Sequence, residues 1–505
     1  MMRLRYIFSL FFLITFNLKG QIIKDSQKSI ELGTFVSSNT NLPFWSRTNQ
    51  YGTVPLKGNF LTLRADISKD NMPVFVKSKK IKWGYGLEGV VNIGKVNQIL
   101  LPQAFLKVKL GSFEFYGGRR KEIVGLVDSS LSSGSLIWSG NTLPMPKIQI
   151  SIPEYTSIIG KGLISIKGSY AHGWFDNDKL VHSYLHQKTF YGSIGKPSWK
   201  LKFYGGFNHQ VQWGGKINLP YSFPSVKNNT LPSSISDYIY AVSGVSLNYT
   251  TRQKNLNTSQ YTSYDLTNRV GNHIGTIDIA AELHLKKMNV LVYRQSVYDD
   301  GSLFYLANVT DGLQGVSFSL KPQERKISIN KIVVEYLNTT NQGSIVGPES
   351  PITSIRGRDN YFNHGQFING WAYKGRTLGT PFIIPASEIK NSLPLYNIDV
   401  PPYFPAYFTN NNRVRVLYLG AKLTILNKYY YKVRIAHSKN YGTYDVALRN
   451  DEKAISQTSI ENSVIKEFKN SKWGDILFTC NWSIDRGNLL NNSNAFHFSL
   501  KKVFK

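Results

Sequence analysis

Apolar and polar side chains alternate in runs of about ten residues along most of the chain. "AFLKVKLGSFEFYGG" (104–118) sets Leu106, Val108 and Leu110 against Lys107 and Lys109. "KGLISIKGSYAHGWF" (161–175) puts Ile164, Ile166 and Tyr170 on one face, and "WKLKFYGGF" (199–207) alternates again. In "GTIDIAAELHLKKMNVLVYRQSV" (275–297), Ile277, Ile279, Ala281, Leu283 and Leu285 oppose Asp278, Glu282 and His284. "KISINKIVVEYLN" (326–338) and "RVRVLYLGAKLTIL" (413–426) continue the pattern. Such strands have a wet face and an oily face, and helical periodicity is not evident between them. A single closed antiparallel barrel accounts for this, because closure leaves no exposed edge. The final run, "AFHFSLKKVFK" (495–505), alternates Phe496, Phe498 and Leu500 with Ala495, His497 and Ser499, and ends one residue after Phe504. A terminal amphipathic strand with an aromatic beside the C-terminus is the kind of signal that barrel-assembly machinery reads.

Polar connections separate the strands. The longest are 217–237, 251–272 and 338–388. Connections of this length are functional or disordered, and in a barrel they become extracellular loops or lumen plugs. "SSGSLIWSGNTLPMPKIQIS" (132–151) is unusual in placing Trp138, a Ser-Gly-Asn turn and two prolines just ahead of a strand. Pro144 and Pro146 lack the N–H that a strand ladder needs. They predict a rigid, non-strand segment that folds into or caps the lumen.

The first residues stand apart. "MMRLR" is a basic head, "YIFSLFFLITF" an apolar core, and "NLKG" a small-residue end before Gln21. This is the pattern of a secretory signal peptide over 1–20. The apolar core is too short for a membrane-spanning helix, and no later stretch is long enough for one. We divide the rest into a periplasmic N-terminal segment (21–60), without helical patterning, and an outer-membrane barrel (61–505).

Composition narrows the function. The 505 residues include one cysteine, Cys480, so the chain has no intramolecular disulfide. The formal net charge of +29 calls for anionic partners. In an exported protein these are lipopolysaccharide phosphate, outer-membrane lipid or acidic glycan, and not nucleic acid. The 30 Tyr, 28 Phe and 9 Trp suit membrane-interface rings and sugar-stacking surfaces. His182 and His186 in "HSYLH" have the spacing of a zinc helix, but Ser183 stands where the catalytic glutamate would be. Neither a nucleophile elbow nor a carboxylate pair is evident. We expect neither metal, cofactor nor catalytic residue, and expect that the protein is not an enzyme.

Five clusters mix aromatic platforms with Asn, Gln, His or Arg: "NLPFWSRTNQYG" (41–52), "LIWSGNTLPMP" (136–146), "AHGWFDND" (171–178), "GFNHQVQWGG" (206–215) and "GRDNYFNHGQFINGWAYKGRTLGTP" (357–381). Sugars are bound by such pairings of a ring face with amides and guanidinium groups. The same residues also serve as girdle and plug anchors. The candidate glycan contacts are Trp138, Asn141, Trp174, His209, Trp213, Arg358, Asn363, His364 and Trp371. Arg119 and Arg120 in "GGRRKE" (117–122) are candidate anion contacts, since planar guanidinium forks suit phosphate and carboxylate.

At these clusters the chain resembles the Wzi-like outer-membrane capsule-assembly proteins in their Bacteroidetes-type form. "LPFWSRTNQYG", "LSSGSLIWSGNTLPMPKIQISIP", "IKGSYAHGWF" and "GRDNYFNHGQFINGWAYKGRTLGTP" occur in the family's order. The resemblance implies an all-β, transmembrane antiparallel barrel of about 18 strands in the outer membrane of a Gram-negative bacterium, reached through the Sec pathway. It also implies non-enzymatic, lectin-like assembly or anchoring of capsular or surface polysaccharide. The alternative is a porin-like diffusion channel favouring anionic solutes.

Overall fold

The structure is a computed structural model that describes residues 26–70, 81–218, 229–247, 261–299 (without 263, 264 and 267), 303, 306–322, 325–343, 359–393, 396–397, 408–469 (without 452) and 474–504. The signal peptide read over 1–20 lies outside the described residues.

Eighteen strands form one sheet: β1 (Gln27–Ser37), β2 (Phe60–Lys69), β3 (Lys82–Gly94), β4 (Gln98–Leu110), β5 (Phe113–Arg119), β6 (Lys147–Ile159), β7 (Ile164–Trp174), β8 (Tyr184–Ile194), β9 (Leu201–Trp213), β10 (Asn272–His284), β11 (Met288–Asp299), β12 (Gly312–Leu320), β13 (Ile327–Asn338), β14 (Val414–Ile425), β15 (Tyr429–Asn440), β16 (Ile455–Phe468), β17 (Asp475–Gly487) and β18 (Ser493–Phe504). Each pairs antiparallel with its neighbours in sequence. The sheet closes where β1 meets β18, from Lys28 opposite Phe504 to Ser37 opposite Ala495. The fold is therefore an all-β, closed antiparallel barrel.

Alternation sets the two faces. On β18, Phe496, Phe498 and Leu500 are exposed outward while Ala495 and Ser499 are buried inward. On β10, Ile277 and Ile279 face outward and Asp278 is buried inward. Outward apolar side chains meet lipid and inward polar ones fill the lumen, the arrangement of a membrane barrel. Among the described residues no helix is long and apolar enough to cross a membrane.

Two prolines inside strands coincide with irregularities. The β3–β4 register shifts between Glu88 and Val90, opposite the stretch containing Pro102. The β6–β7 register shifts between Ile152 and Thr156, across Pro153. A residue without an N–H is tolerated where the ladder is already interrupted.

Residues 21–60, read from the sequence as a segment ahead of the barrel, instead contain β1, the whole 38–59 connection and the first residue of β2. Ile30, Leu32 and Val36 supply β1's outward face, so the strand obeys the same alternation as the others.

One end of the barrel carries the start of β1, the end of β18 and short connections such as Gly111–Ser112 and 426–428. The other carries the long connections 38–59, 120–146, 214–271 and 339–413. Long loops face the exterior in outer-membrane barrels.

Candidate functional site

Three of the exterior connections turn back into the lumen. The first contains α1 (Phe44–Arg47), the second the Trp138 segment, and the third residues 361–389. Their apolar side chains join inward residues of the wall, including Val333, Leu337, Val416 and Tyr418, in one core. Phe44 stacks on Phe382 at 5.1 Å, and Trp45 meets the same ring edge-on at 5.9 Å. Trp138 meets Trp371 at 6.5 Å, and Trp371 meets Phe175 at 6.2 Å. These rings bury large apolar areas while the N–H groups of Trp371 and Trp45 stay bonded. Trp371 Nε1 donates to the Ile137 carbonyl at 2.9 Å, and Trp45 Nε1 to the Ser459 carbonyl at 3.1 Å.

Carboxylates fasten this plug to the wall. Glu335 on β13 accepts from Ser132 Oγ at 2.6 Å, from the Ser133 N–H at 2.7 Å, and from the Tyr293 hydroxyl. Asp278 on β10 accepts from the Leu126 N–H at 2.8 Å. Asp485 on β17 accepts from the Phe44 N–H at 2.8 Å. The plug returns one carboxylate of its own: Asp128 takes Lys331 Nζ at 2.6 Å and Ser317 Oγ at 2.7 Å. Burial pushes Asp128 up, but hydrogen bonds from Lys331, Ser317 and Ser130 outweigh it and hold the group at about 2. Within the plug, Arg47 and Glu388 form a buried ion pair. Arg376 donates to the carbonyls of Arg47 (3.1 Å) and Val54, tying the third connection to the first. Its own burial lowers its pKa to about 10, which leaves it charged at neutral pH.

The structure separates the candidate glycan residues into two places. Trp138, Asn141, Asn363 and Trp371 are buried in the plug. Asn141 accepts from the Asn49 N–H at 3.1 Å and donates to the Thr377 carbonyl at 3.3 Å. Asn363 exchanges bonds with the Thr409 backbone, donating at 2.9 Å and accepting at 3.0 Å. His364 lies beside them, its Nδ1 accepting from the N–H groups of Gln366 (3.1 Å) and Phe367 (3.2 Å). Trp174, His209 and Trp213 lie on the outer wall, as their strand parity requires. Arg358 lies outside the described residues. Arg119 reaches the Tyr373 hydroxyl at 3.3 Å. Arg120 pairs with Glu114 at 2.6 Å and Asp70 at 3.0 Å.

Sequence reasoning passed over the wall carboxylates. Parity placed Asp278 on the wet face, but only the fold shows which N–H groups it receives.

Two cavities bear on ligand binding. One, of about 250 Å³, lies in the lumen where residues 120–125 pass the wall, and is lined by both signs of charge, Glu114, Glu122, Arg120, Lys121 and Lys167, with Gln187. The other, of about 330 Å³, opens at the long-loop end among Lys390, Ser392, Arg449, Asn450 and Asn488. Among the described residues no group of three His, Cys, Asp or Glu is placed to hold a metal ion.

The family model described as "Capsule assembly protein Wzi" matches residues 23–383, well over half of the chain. The chain belongs to the Wzi capsule assembly family. The match takes in the first two plug segments and the third up to Ile383, together with thirteen of the eighteen strands, β1 to β13. Membership places this chain in the outer membrane, in capsule assembly. No match is found among curated proteins. Among solved structures, the Wzi-family chain is similar to Pseudomonas aeruginosa OccK5 (OpdH) at 8% identity and a TM-score of 0.46, with 96% of this chain and 100% of that one covered. Acinetobacter baumannii OccAB2 is similar at 8% identity and TM-score 0.46, covering 96% and 99%. The outer membrane protein OprD of Pseudomonas aeruginosa follows at 8% and 0.43, covering 97% and 96%.

Proposed function

We propose that this Wzi-family barrel holds exported capsular or other surface polysaccharide at the cell surface, as a non-enzymatic, lectin-like attachment factor. The observation that carries the reading is the plug. Three connections from the exterior end fill the lumen beneath the long loops, so a long polymer meets a packed floor. The candidate residues Trp138, Asn141, Asn363 and Trp371 keep that floor rigid by their bonds to one another's segments. The polymer lies across the rim, where Lys390, Asn450 and Asn488 offer a cation and amides beside the Arg449–Asp451 ion pair. The basic surplus of the chain favours an acidic glycan. The buried carboxylates are engaged by plug donors, which supports a structural role for them over an acid–base one.

A gene-deletion strain is expected to lose cell-associated polysaccharide while still exporting it, and the purified protein to bind that polysaccharide. Wild-type retention of glycan in the deletion strain sinks the reading. A second reading, an anion-favouring diffusion channel, rests on Lys167 in the lumen cavity, since Arg120 and Lys121 there are paired with carboxylates. Stepwise anion-selective conductance in planar bilayers, together with unchanged glycan retention, would put the channel in its place.

A further inference from the structure

The fourth long connection, 214–271, follows a different course from the three that form the plug. Its helix α2 (Ile235–Ser243) lies against the outside of the barrel. Tyr238 packs on Trp213 at 5.2 Å and bonds the Tyr170 hydroxyl at 2.9 Å, and both partners are outward-facing wall residues. Ile235 and Ile239, turned away from the buried Asp237 and Ala241, are 82% and 61% exposed. A helix on a lipid-facing wall with two bare isoleucines lies in the membrane interface.

Where α2 ends, a groove of about 340 Å³ opens between it and β8–β11, lined by Lys188, Phe207, His209, Arg269, His273 and Tyr298. Lys188 Nζ donates to the Val242 carbonyl, and Arg269 Nε donates to the Gly244 carbonyl at 2.7 Å. Both cations are thereby fixed at the helix C-terminus with donors to spare. None of the ion pairs among the described residues includes Lys188 or Arg269. His209 Nε2 and His273 Nδ1 are 2.9 Å apart and share a hydrogen bond, while His209 Nδ1 is buried without a partner. Toward the short-turn end, the same wall is apolar, with Phe190, Phe203, Ile277 and Ile279 exposed. Cations at the upper margin of a lipid-facing band stand at headgroup depth, where they attract anionic lipid groups.

We propose that this groove binds a phosphate group of an outer-leaflet lipid. Lys188 and Arg269 take the phosphate, and the acyl chains run down the Phe190–Phe207–Ile277 surface. Cations above an apolar track match the order of phosphate and acyl chains in a phosphorylated lipid such as lipid A, and the two exposed isoleucines of α2 complete the apolar contact beside it.

The test uses the purified full-length barrel in detergent and two lipid probes, diphosphorylated lipid A and the same lipid with its phosphates removed. Wild-type protein is expected to bind the phosphorylated probe at least tenfold more tightly. Because both cations also hold helix carbonyls, the variant is Lys188→Gln with Arg269→Gln, which keeps a donor at each place and removes the charge. It is expected to lose that preference while migrating as a folded barrel without heating. The charge-keeping pair Lys188→Arg and Arg269→Lys is expected to retain it, and serves as the decisive comparison if the glutamine variant does not fold. Equal binding of the two probes by wild type, an unchanged preference in the glutamine variant, or loss of the preference in the folded charge-keeping pair overturns the proposal. Displacement of the lipid by millimolar inorganic phosphate alone also overturns it, in favour of a free-phosphate site.

Discussion

The residues that do most to organise this molecule are the carboxylates whose partners lie on another segment. Glu335 satisfies three donors from two parts of the chain. Removing a buried acceptor strands its donors, at about 1–3 kcal/mol for each group left unmet. Glu335→Ala is therefore expected to lower the thermal midpoint of the purified barrel clearly, and Glu335→Gln, which keeps one acceptor oxygen, to lower it less. Equal midpoints for wild type and Glu335→Ala would remove this anchor from the account. Asp128 gives a pH-dependent version of the same bond. Its folded-state pKa is depressed to about 2 from 3.8, so the stabilisation is fully present above pH 4 and is lost as pH falls through about 2. The stability gap between wild type and Asp128→Asn is expected to be constant from neutral pH to about 5 and to close below pH 4. A gap that instead widens on acidification contradicts the bond pattern.

At the scale of elements, the strands were legible because a lipid-facing wall enforces period two over every crossing. The β18 alternation and the β10 alternation appear in the structure with the faces that the sequence assigned. The plug was legible only as rigidity. Pro144 and Pro146 marked 132–151 as non-strand, and the structure ends that segment at Pro146, one residue before β6 begins. Its partners were not legible, because Trp371 and Ile137 are far apart in sequence and no local period joins them. Helix α2 was read as part of a polar connection. The overlooked signal was local: Ser234 and Asp237 form a reciprocal capping box, and Gly244 ends the helix at a φ of 64°. The plug's rigidity has measurable consequences. Trp138→Ala opens space between Trp371 and Lys147, and losses of about 3–5 kcal/mol are usual for such truncations. Heat-stability is expected to drop, with glycan retention falling in parallel. Retention lost at full heat-stability would instead make Trp138 a direct glycan contact. Gly140→Ala is expected to destabilise as well, since Gly140 has a φ of 78° and an added methyl would sit 2.7 Å from the Tyr51 ring.

The whole molecule divides its chemistry by surface. The outward band carries apolar side chains, the lumen carries paired charges and amides, and the rim carries Lys390, exposed amides and the Arg449–Asp451 pair. If the rim binds an acidic glycan, affinity is expected to fall with added salt as exposed charges are screened over about 10 Å at 0.1 M. Lys390→Glu with Arg449→Glu is expected to weaken binding several-fold at low salt and to flatten the salt dependence. A salt-independent affinity, unchanged by that reversal, would place the glycan elsewhere.

The Phe44–Asp485 bond joins the first exterior connection to the seventeenth strand. Such a bond cannot form until nearly all of the chain has been laid into the wall. The plug is thus a late event in biogenesis, and it works as a molecular record that closure has occurred. A barrel stalled in the assembly machinery would expose its Trp138 segment to protease, and a finished one would not. Protease resistance of that segment is then a clock for maturation, readable in cells without any knowledge of the glycan.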